Sequence, residues 1–315
     1  MTVAACLLLY GLVVLLVGPP VLRRLTRSAQ LPRLGVAAWL TAIATMLISG
    51  VAAVAALLAQ LVNHWDHRQY LIASCVAQIR VIATGQAGTL PRLALLGAAI
   101  AAAVLVMATA ARLAATLTAM RRRSHRHAEA VRVVGRRTAA PDVLVLDADE
   151  PAAYCVSARP PAIVVTSAAV VALNEEQLEA VIAHERAHLA GYHPQVVAAL
   201  RVLAKALPRV KLITEGAEHI SRLLEMCADD TAARRHGRQP LLAGLLAMSG
   251  ATPAGALGAA DVAVLERAHR LTSSRGAPAH RRCAAALTGT MTVIAAGPVL
   301  IAAMAASGLL MCGMQ

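Results

Sequence analysis

The chain contains 315 residues, 58% of them hydrophobic, and its mean hydropathy is +0.63. Soluble globular domains are typically about 45–50% apolar, so this composition excludes a wholly soluble globular protein. The 30 basic residues outnumber the 17 acidic ones. The arginines cluster at the ends of apolar runs, however, which is typical of oriented membrane helices and not of a nucleic-acid-binding surface. We therefore expect the lipid bilayer as a partner and no direct binding of nucleic acid.

Residues 1–120 are predicted to form a membrane domain with three transmembrane helices, at about residues 2–21, 34–62 and 93–120. The first run lacks the basic start of a signal peptide, so we expect it to remain as a span with an external N-terminus. The basic residues that follow the first and third runs are Arg23, Arg24, Arg27, Arg33, Arg121, Arg122, Arg123 and Arg126. This asymmetry predicts an external loop between the second and third spans and a cytoplasmic location after the third span.

Residues 121–282 have the composition of a soluble domain, and about 160 residues suffice for one core. Short buried strands are predicted at residues 143–146 and 163–165, with a third at 154–156 between them. Helical segments follow, so we predict a cytoplasmic α+β domain. Residues 283–315 then contain a last apolar run, which predicts a fourth transmembrane helix and a short external C-terminus.

The segment Val181–Leu189 contains His184-Glu185-x-x-His188 in a stretch that is predicted to be helical. Residues four apart share one face of a helix, so both histidines can bind the same metal ion. Glu185 lies beside them, where a carboxylate can take a proton from a metal-bound water. The alternative is a helix with two incidental histidines. Helix boundaries are indicated by a capping box, Asn174 with Gln177, and by Gly191 after the motif.

A catalytic zinc ion normally has three protein ligands and a water, so a third ligand must come from another element. The candidates on a predicted helix over residues 214–236 are Glu215, Glu218, His219, Glu225, Asp229 and Asp230. Glu218, Glu225 and Asp229 lie near one face of that helix. Glu225 with Asp229 offers a ligand and, one turn later, a carboxylate that can orient a histidine. For a partner on the oxyanion side, Tyr192, His193 and His219 are all candidates.

Residues 196–211 form an amphipathic, basic segment between the motif and this helix. Such a segment fits either a helix on the anionic inner leaflet or an ordinary core helix with a solvated face. Together these features predict a polytopic α-helical membrane protein with four transmembrane helices. A cytoplasmic α+β zincin-like metallopeptidase domain is expected between the third and fourth spans.

This arrangement resembles the BlaR/MecR-type antirepressor zinc metallopeptidases, a gluzincin group of membrane proteins. The segments that carry the resemblance are Arg159-Pro-Pro-Ala-Ile-Val-Val-Thr166, Leu178 to Leu189, and Glu225-x-x-x-Asp229. The resemblance covers essentially the whole chain and is strongest over residues 142–236. It implies zinc as the cofactor, with His184, His188 and Glu225 as metal ligands. It also implies Glu185 as the catalytic base and Asp229 as the residue that orients a histidine.

The resemblance further implies a multi-pass protein of the bacterial plasma membrane that cleaves a cytoplasmic substrate, a BlaI-like winged-helix repressor. The best-known members continue into an extracellular penicillin-binding sensor domain. No Ser-x-x-Lys motif of that domain occurs here, so we expect no direct β-lactam sensing by this chain alone.

Two other functions are consistent with the same motif. One is a metalloprotease for membrane-protein quality control, which differs in its substrate and not in its chemistry. The other is a non-catalytic scaffold or receptor with a structural zinc site. Structural zinc sites usually have four protein ligands, often cysteines, and no Cys-x-x-Cys motif occurs here. An open, catalytic site is therefore the favoured prediction.

Overall fold

A computed structural model describes residues 3–63, 90–248, 259–272 and 277–307. The predicted external loop between the second and third spans and the predicted external C-terminus therefore lie largely outside the described residues. The helices are α1 (Val3–Thr26), α2 (Pro32–Asn63), α3 (Leu90–Val134), α4 (Ser167–Ala172), α5 (Glu175–Ala190), α6 (His193–Ala206), α7 (Lys211–His236), α8 (Arg238–Met248), α9 (Ala259–Thr272) and α10 (Ala277–Ala306). The strands are β1 (Arg136–Arg137), β2 (Val143–Leu146), β3 (Ala153–Val156) and β4 (Ala162–Thr166).

Four helices, α1, α2, α3 and α10, contain segments long and apolar enough to cross a membrane. These segments correspond to the four predicted spans. Large apolar side chains are exposed along them, for example Leu16, Met107 and Val293 at 65%, 69% and 71%. Water would make such exposure costly, whereas lipid chains would cover these side chains at no cost.

Helix α3 is longer than the predicted third span. We expected the span to end near Met120, but the helix runs for 45 residues, from Leu90 to Val134, and is therefore roughly 67 Å long. The basic residues after Met120 indicate where a membrane would end, but no Pro or Gly lies between Met120 and Gly135 to end the helix there. The helix therefore continues into the following domain, and the predicted domain boundary at residue 121 falls within it.

A four-stranded sheet lies between α3 and α5, in the order β1-β2-β4-β3. Strand β4 pairs in parallel with β2 and antiparallel with β3, and all five of its residues are buried. A strand covered on both faces is typically a continuous apolar run, which explains why Ile163–Val165 was recognisable in the sequence. The three predicted strands are present, and the two-residue β1 was missed. Strand β3 forms the edge of the sheet on the side of α5.

Helix α5 begins and ends where its local sequence predicts. The backbone N–H of Gln177 donates to Asn174 Oδ1 at 2.9 Å, and the N–H of Asn174 donates to Gln177 Oε1 at 3.1 Å. This capping box satisfies two backbone donors that a helix start leaves without partners. Gly191 follows the last helical residue. The helix that carries the His-Glu-x-x-His motif is thus fixed at both ends by local interactions.

Helix α7 packs directly against the first two membrane helices. One apolar cluster contains Ile213 and Ile220 of α7 together with Leu22 of α1 and Trp39 of α2. At Gly216 of α7, an added Cβ would lie 3.0 Å from Ile43 Cδ1 and 3.2 Å from the Trp39 ring, so a larger residue would require these two side chains to shift. Residues 121–282 are numerous enough for one core. The largest buried cluster also includes side chains of α1 and α2.

Helix α6 packs against α7 and buries Ala198 and Leu200, while Arg201 and Lys205 are exposed. This placement fits both interpretations of the amphipathic segment, a core helix with a solvated face and a helix on the anionic inner leaflet.

Candidate metal centre

Three potential metal ligands converge where α5 crosses α7. His184 and His188 lie on one face of α5, and Glu225 lies on α7. The two histidine Nε2 atoms are 3.0 Å apart, and each is 3.5 Å from Glu225 Oε2. The three ligand atoms lie within 4.8 Å of one another. The structure therefore brings together the three residues predicted as metal ligands.

These distances fit a tetrahedral zinc site. Ligand atoms at 2.0–2.1 Å from a tetrahedral zinc ion are separated by about 3.3 Å from each other. The observed separations of 3.0 Å, 3.5 Å and 3.5 Å lie on either side of that value. Two imidazoles and one carboxylate are also a common ligand set of catalytic zinc, which leaves the fourth position for a water.

Small residues allow the two helices to approach closely enough for this convergence. Ala180 and Ala183 of α5 share a buried cluster with Ala232 of α7. The side chains of these alanines are too short to hold the backbones apart, so ligands from both helices can reach one point. The same face of α5 that presents the histidines therefore provides the packing surface for α7.

Asp229 lies behind His184, on the side away from the ligand atoms. Its Oδ1 is 3.1 Å from His184 Nδ1, and the Asp229 side chain is fully buried. Burial lowers the pKa of His184, but the carboxylates of Asp229 and Glu225 outweigh burial and raise it to about 9. Burial likewise raises the pKa of Glu225, but the two histidines reverse the shift and hold it well below its usual range. Such a site favours a bound cation.

Arg267 of α9 completes this group and was not identified from the sequence. Its guanidinium donates two hydrogen bonds to Asp229, from Nε at 2.8 Å and from Nη2 at 2.6 Å. Its Nη1 is also 3.6 Å from Glu225 Oε2. The paired geometry holds the Asp229 carboxylate in place and keeps its pKa below the usual range despite burial. Arg267 follows Asp229 by 38 residues and belongs to no sequence motif. The one available signal was that a buried carboxylate at Asp229 would need a partner.

His193 occupies the corresponding position behind the second histidine. Its Nδ1 is 2.9 Å from Nδ1 of His188, and both rings are buried. Burial lowers the pKa of His193 to about 4, so its ring is neutral near pH 7 and can accept a hydrogen bond from His188. We had considered His193 for the oxyanion side. The structure instead places it where it can orient His188.

Glu185 lies between the motif histidines and the edge strand. Its carboxylate contacts the Cys155 thiol of β3, and burial raises the pKa of Glu185 above its usual value. Burial, followed by the charge of Glu185, raises the pKa of Cys155 to about 12, so this thiol stays protonated. A carboxylate with a raised pKa beside a metal site suits general-base chemistry. Cys155 was not predicted as a residue of the site.

Three of the other third-ligand candidates lie away from the convergence point. Glu215 forms an ion pair with Arg23 of α1 at 3.0 Å. Glu218 is exposed. The ring of His219 stacks on Trp39 with a centroid separation of 5.2 Å, which also removes it as an oxyanion partner.

Asp230, the last third-ligand candidate, and Tyr192, a candidate for the oxyanion side, also lie away from the ligand atoms. Asp230 accepts two hydrogen bonds from Arg270 of α9, at 2.8 Å and 2.7 Å. Tyr192 is 68% exposed and adopts a left-handed backbone conformation with φ of 54° at the turn after α5. Of the three candidates for the oxyanion side, only His193 contacts a metal ligand, and it does so from behind His188.

Replacing Asp229 with alanine is expected to weaken zinc binding by about 10–100-fold, because the carboxylate that orients His184 is lost. It should also destabilise the fold by roughly 3–5 kcal/mol, since the change removes the partner of the buried Arg267 side chain. Zinc affinity can be measured by competition with a chelator, and stability by thermal unfolding.

The matched control is Asp142→Ala, because Asp142 forms the same kind of paired contact with Arg186 of α5 at 2.7 Å and 2.8 Å. That pair is partly exposed and contacts no histidine, so zinc affinity should be unchanged. Equal zinc affinities for the two variants would contradict the orienting role of Asp229.

Residues 119–248 match the sequence model of Peptidase family M48. No curated protein and no solved structure matches the chain. The matched segment includes α5, α7 and every predicted site residue. This part of the chain is therefore similar to Peptidase family M48, which supports a metallopeptidase. Helix α9, with Arg267, lies beyond the matched segment.

Proposed function

We propose that this protein is a membrane-bound zinc endopeptidase that cleaves a cytoplasmic protein, specifically a winged-helix transcriptional repressor in a BlaR/BlaI-like signalling pair. The observation that carries the proposal is the convergence of His184, His188 and Glu225 next to Glu185 in a segment similar to Peptidase family M48. The resemblance to the antirepressor peptidases supports the narrower assignment of the substrate.

The chemistry follows from the positions of the side chains. Zinc held by His184, His188 and Glu225 would act as a Lewis acid and lower the pKa of a bound water toward about 7. Glu185 accepts the proton of the attacking water and returns it to the leaving amine. Asp229 and His193 hold the two histidines from behind. Neither residue takes part in proton transfer to the substrate.

The edge strand β3 supplies a binding surface for an extended peptide. Strand β3 pairs with β4 on one side only, and Cys155 of this strand contacts Glu185. An extended substrate can add to such an edge through main-chain hydrogen bonds, which is independent of most side chains. The scissile bond would then lie beside the base Glu185.

The contacts of α1 support a cytoplasmic active site. Arg23, at the basic end of α1, forms an ion pair with Glu215 of α7. The peptidase helices therefore lie on the same side as the basic ends of α1 and α10, which include Arg24 and Arg281. Basic residues concentrate on the cytoplasmic side of membrane helices, so the ligands would face the cytoplasm.

A comparison of the proteomes of cells that express the wild-type protein or the Glu185→Gln variant tests the proposal. We expect a cytoplasmic DNA-binding protein to be cleaved in wild-type cells and intact in the variant. Accumulation of the same cleaved fragments in both strains would rule out proteolysis by this site.

A quality-control protease is the second candidate, and one observation favours it. Glu225 lies on a helix that shares a core with α1 and α2, close to the ends of these spans. A site close to the ends of membrane spans can reach the juxtamembrane segments of other membrane proteins. The same experiment distinguishes the two functions, because quality control predicts that membrane proteins, and not a repressor, are stabilised in the variant.

A further inference from the structure

A polar cavity of about 300 Å³ lies on the other side of α7 from the metal ligands, where the ends of four helices and the α1–α2 loop meet. Its wall includes Gln30 of that loop, Arg234 of α7, Arg238 of α8, Arg270 of α9 and His280 of α10. This volume is at the lower end of the range for small-molecule sites, about 300–1,000 Å³. The cavity can therefore hold a small polar group.

The cavity is strongly basic. Three arginines line it, together with a single carboxylate, Asp230, which is paired with Arg270. Among the described residues, no carboxylate lies within ion-pair distance of Arg234 or Arg238. Two guanidinium groups thus line the cavity without an acidic partner among the described side chains, and their hydrogen bonds go to the neutral acceptors Thr231 Oγ1 and Leu271 O.

The cavity lies at the level where two candidate spans end. Gln30 follows the span Val3–Thr26 by four residues, and His280 is the first residue of the span His280–Ala306. Lipid phosphates lie just outside the hydrocarbon core, at the height of such span ends. The basic ends of these spans also favour the cytoplasmic leaflet, which is rich in anionic lipids.

We propose that this cavity binds the phosphate of an anionic membrane phospholipid through Arg234 and Arg238. Guanidinium groups bind phosphate oxygens in pairs of charge-assisted hydrogen bonds, and basic pockets between membrane helices on the cytoplasmic side bind anionic headgroups. The headgroup would bridge α7, α8 and the loop between α1 and α2. The site is separate from the metal ligands and does not depend on catalysis.

Native mass spectrometry of the detergent-solubilised full-length protein tests this site with added phosphatidylglycerol or phosphatidylcholine. The wild-type protein should retain one phosphatidylglycerol molecule in preference to phosphatidylcholine. The double variant Arg234→Gln, Arg238→Gln should bind phosphatidylglycerol roughly 10–100-fold more weakly. Both arginines are exposed, so we expect this variant to fold, and its thermal unfolding and zinc content report on that directly.

The matched control is Arg121→Gln, Arg122→Gln, which removes two exposed arginines of α3 that do not line the cavity. It should retain phosphatidylglycerol as the wild type does. Arg234→Lys, Arg238→Lys should bind more tightly than the glutamine variant and more weakly than the wild type, because the charges remain but the paired hydrogen bonds are lost. Equal weakening in the control, or equal retention of phosphatidylcholine, would overturn the proposal. If inorganic phosphate bound through both arginines and phosphatidylglycerol did not compete with it, the ligand would be free phosphate and the lipid proposal would be wrong.

Discussion

Replacing Glu185 with glutamine is expected to leave zinc binding intact and to slow peptide hydrolysis by roughly 10²–10⁴-fold. Glu185 is not one of the three converging ligands, and glutamine has nearly the same size, so the metal site should persist. The amide cannot accept the proton of the attacking water, although the raised pKa of the native carboxyl suits that step. The zinc content of the purified variant and its rate of peptide cleavage, measured together, separate binding from catalysis.

Glu176→Gln is the control for this experiment, because Glu176 is an exposed residue in the first turn of the same helix. Its cleavage rate should equal that of the wild type. Undiminished cleavage by Glu185→Gln would mean that another group is the base. Loss of zinc from that variant would show that Glu185 contributes to metal binding.

Replacing Glu225 with alanine should abolish stoichiometric zinc binding. Two histidines alone cannot complete a zinc site that normally has three protein ligands. Glu225 Oε2 is the atom that lies 3.5 Å from both histidine Nε2 atoms, and its side chain is 41% exposed, so the change should leave the core of α7 unaffected. The loss of affinity should exceed the roughly 10–100-fold typical of residues that only orient a ligand. Zinc titration with a chromogenic chelator measures the difference.

Glu218→Ala provides a matched control on the same helix, since Glu218 has the same side chain but is exposed and lies away from the convergence point. It should bind one zinc ion per chain. Stoichiometric zinc in Glu225→Ala, together with its loss in His219→Ala, would show that the third ligand had been assigned to the wrong residue. The stacking of His219 on Trp39 makes that outcome unexpected.

The features that were predictable from the sequence depend on neighbours a few residues away. The capping box of Asn174 and Gln177 defines the start of α5, and the spacing of His184 and His188 places both imidazoles on one face. The seven- and four-residue intervals on α7 restricted the choice of the third ligand in the same way. Each of these inferences needs only the geometry of a single helix.

The features that were missed depend on contacts between distant parts of the chain. Arg267 reaches Asp229 only because α9 folds back onto α7, and no spacing in the sequence encodes that packing. The continuation of α3 beyond the predicted span was not foreseen, because a cluster of arginines indicates a membrane boundary and does not end a helix. The packing of α7 against the surface of α1 and α2 was likewise not predicted.

The contact of α7 with α1 and α2 limits how the protein can be divided. A fragment that begins at residue 121 contains every residue of the metal centre, yet it would leave Leu212, Ile213, Ile220 and Leu223 of α7 without their partners from the first two helices. Full burial of each such side chain is worth about 1.5–3 kcal/mol, so their exposure to water would favour aggregation or rearrangement of α7. Glu225 lies on that helix, so the fragment would lose the geometry of its metal site together with its solubility. A truncated soluble enzyme made for crystallisation or inhibitor screening therefore requires polar replacements on this face of α7, or retention of the first two helices.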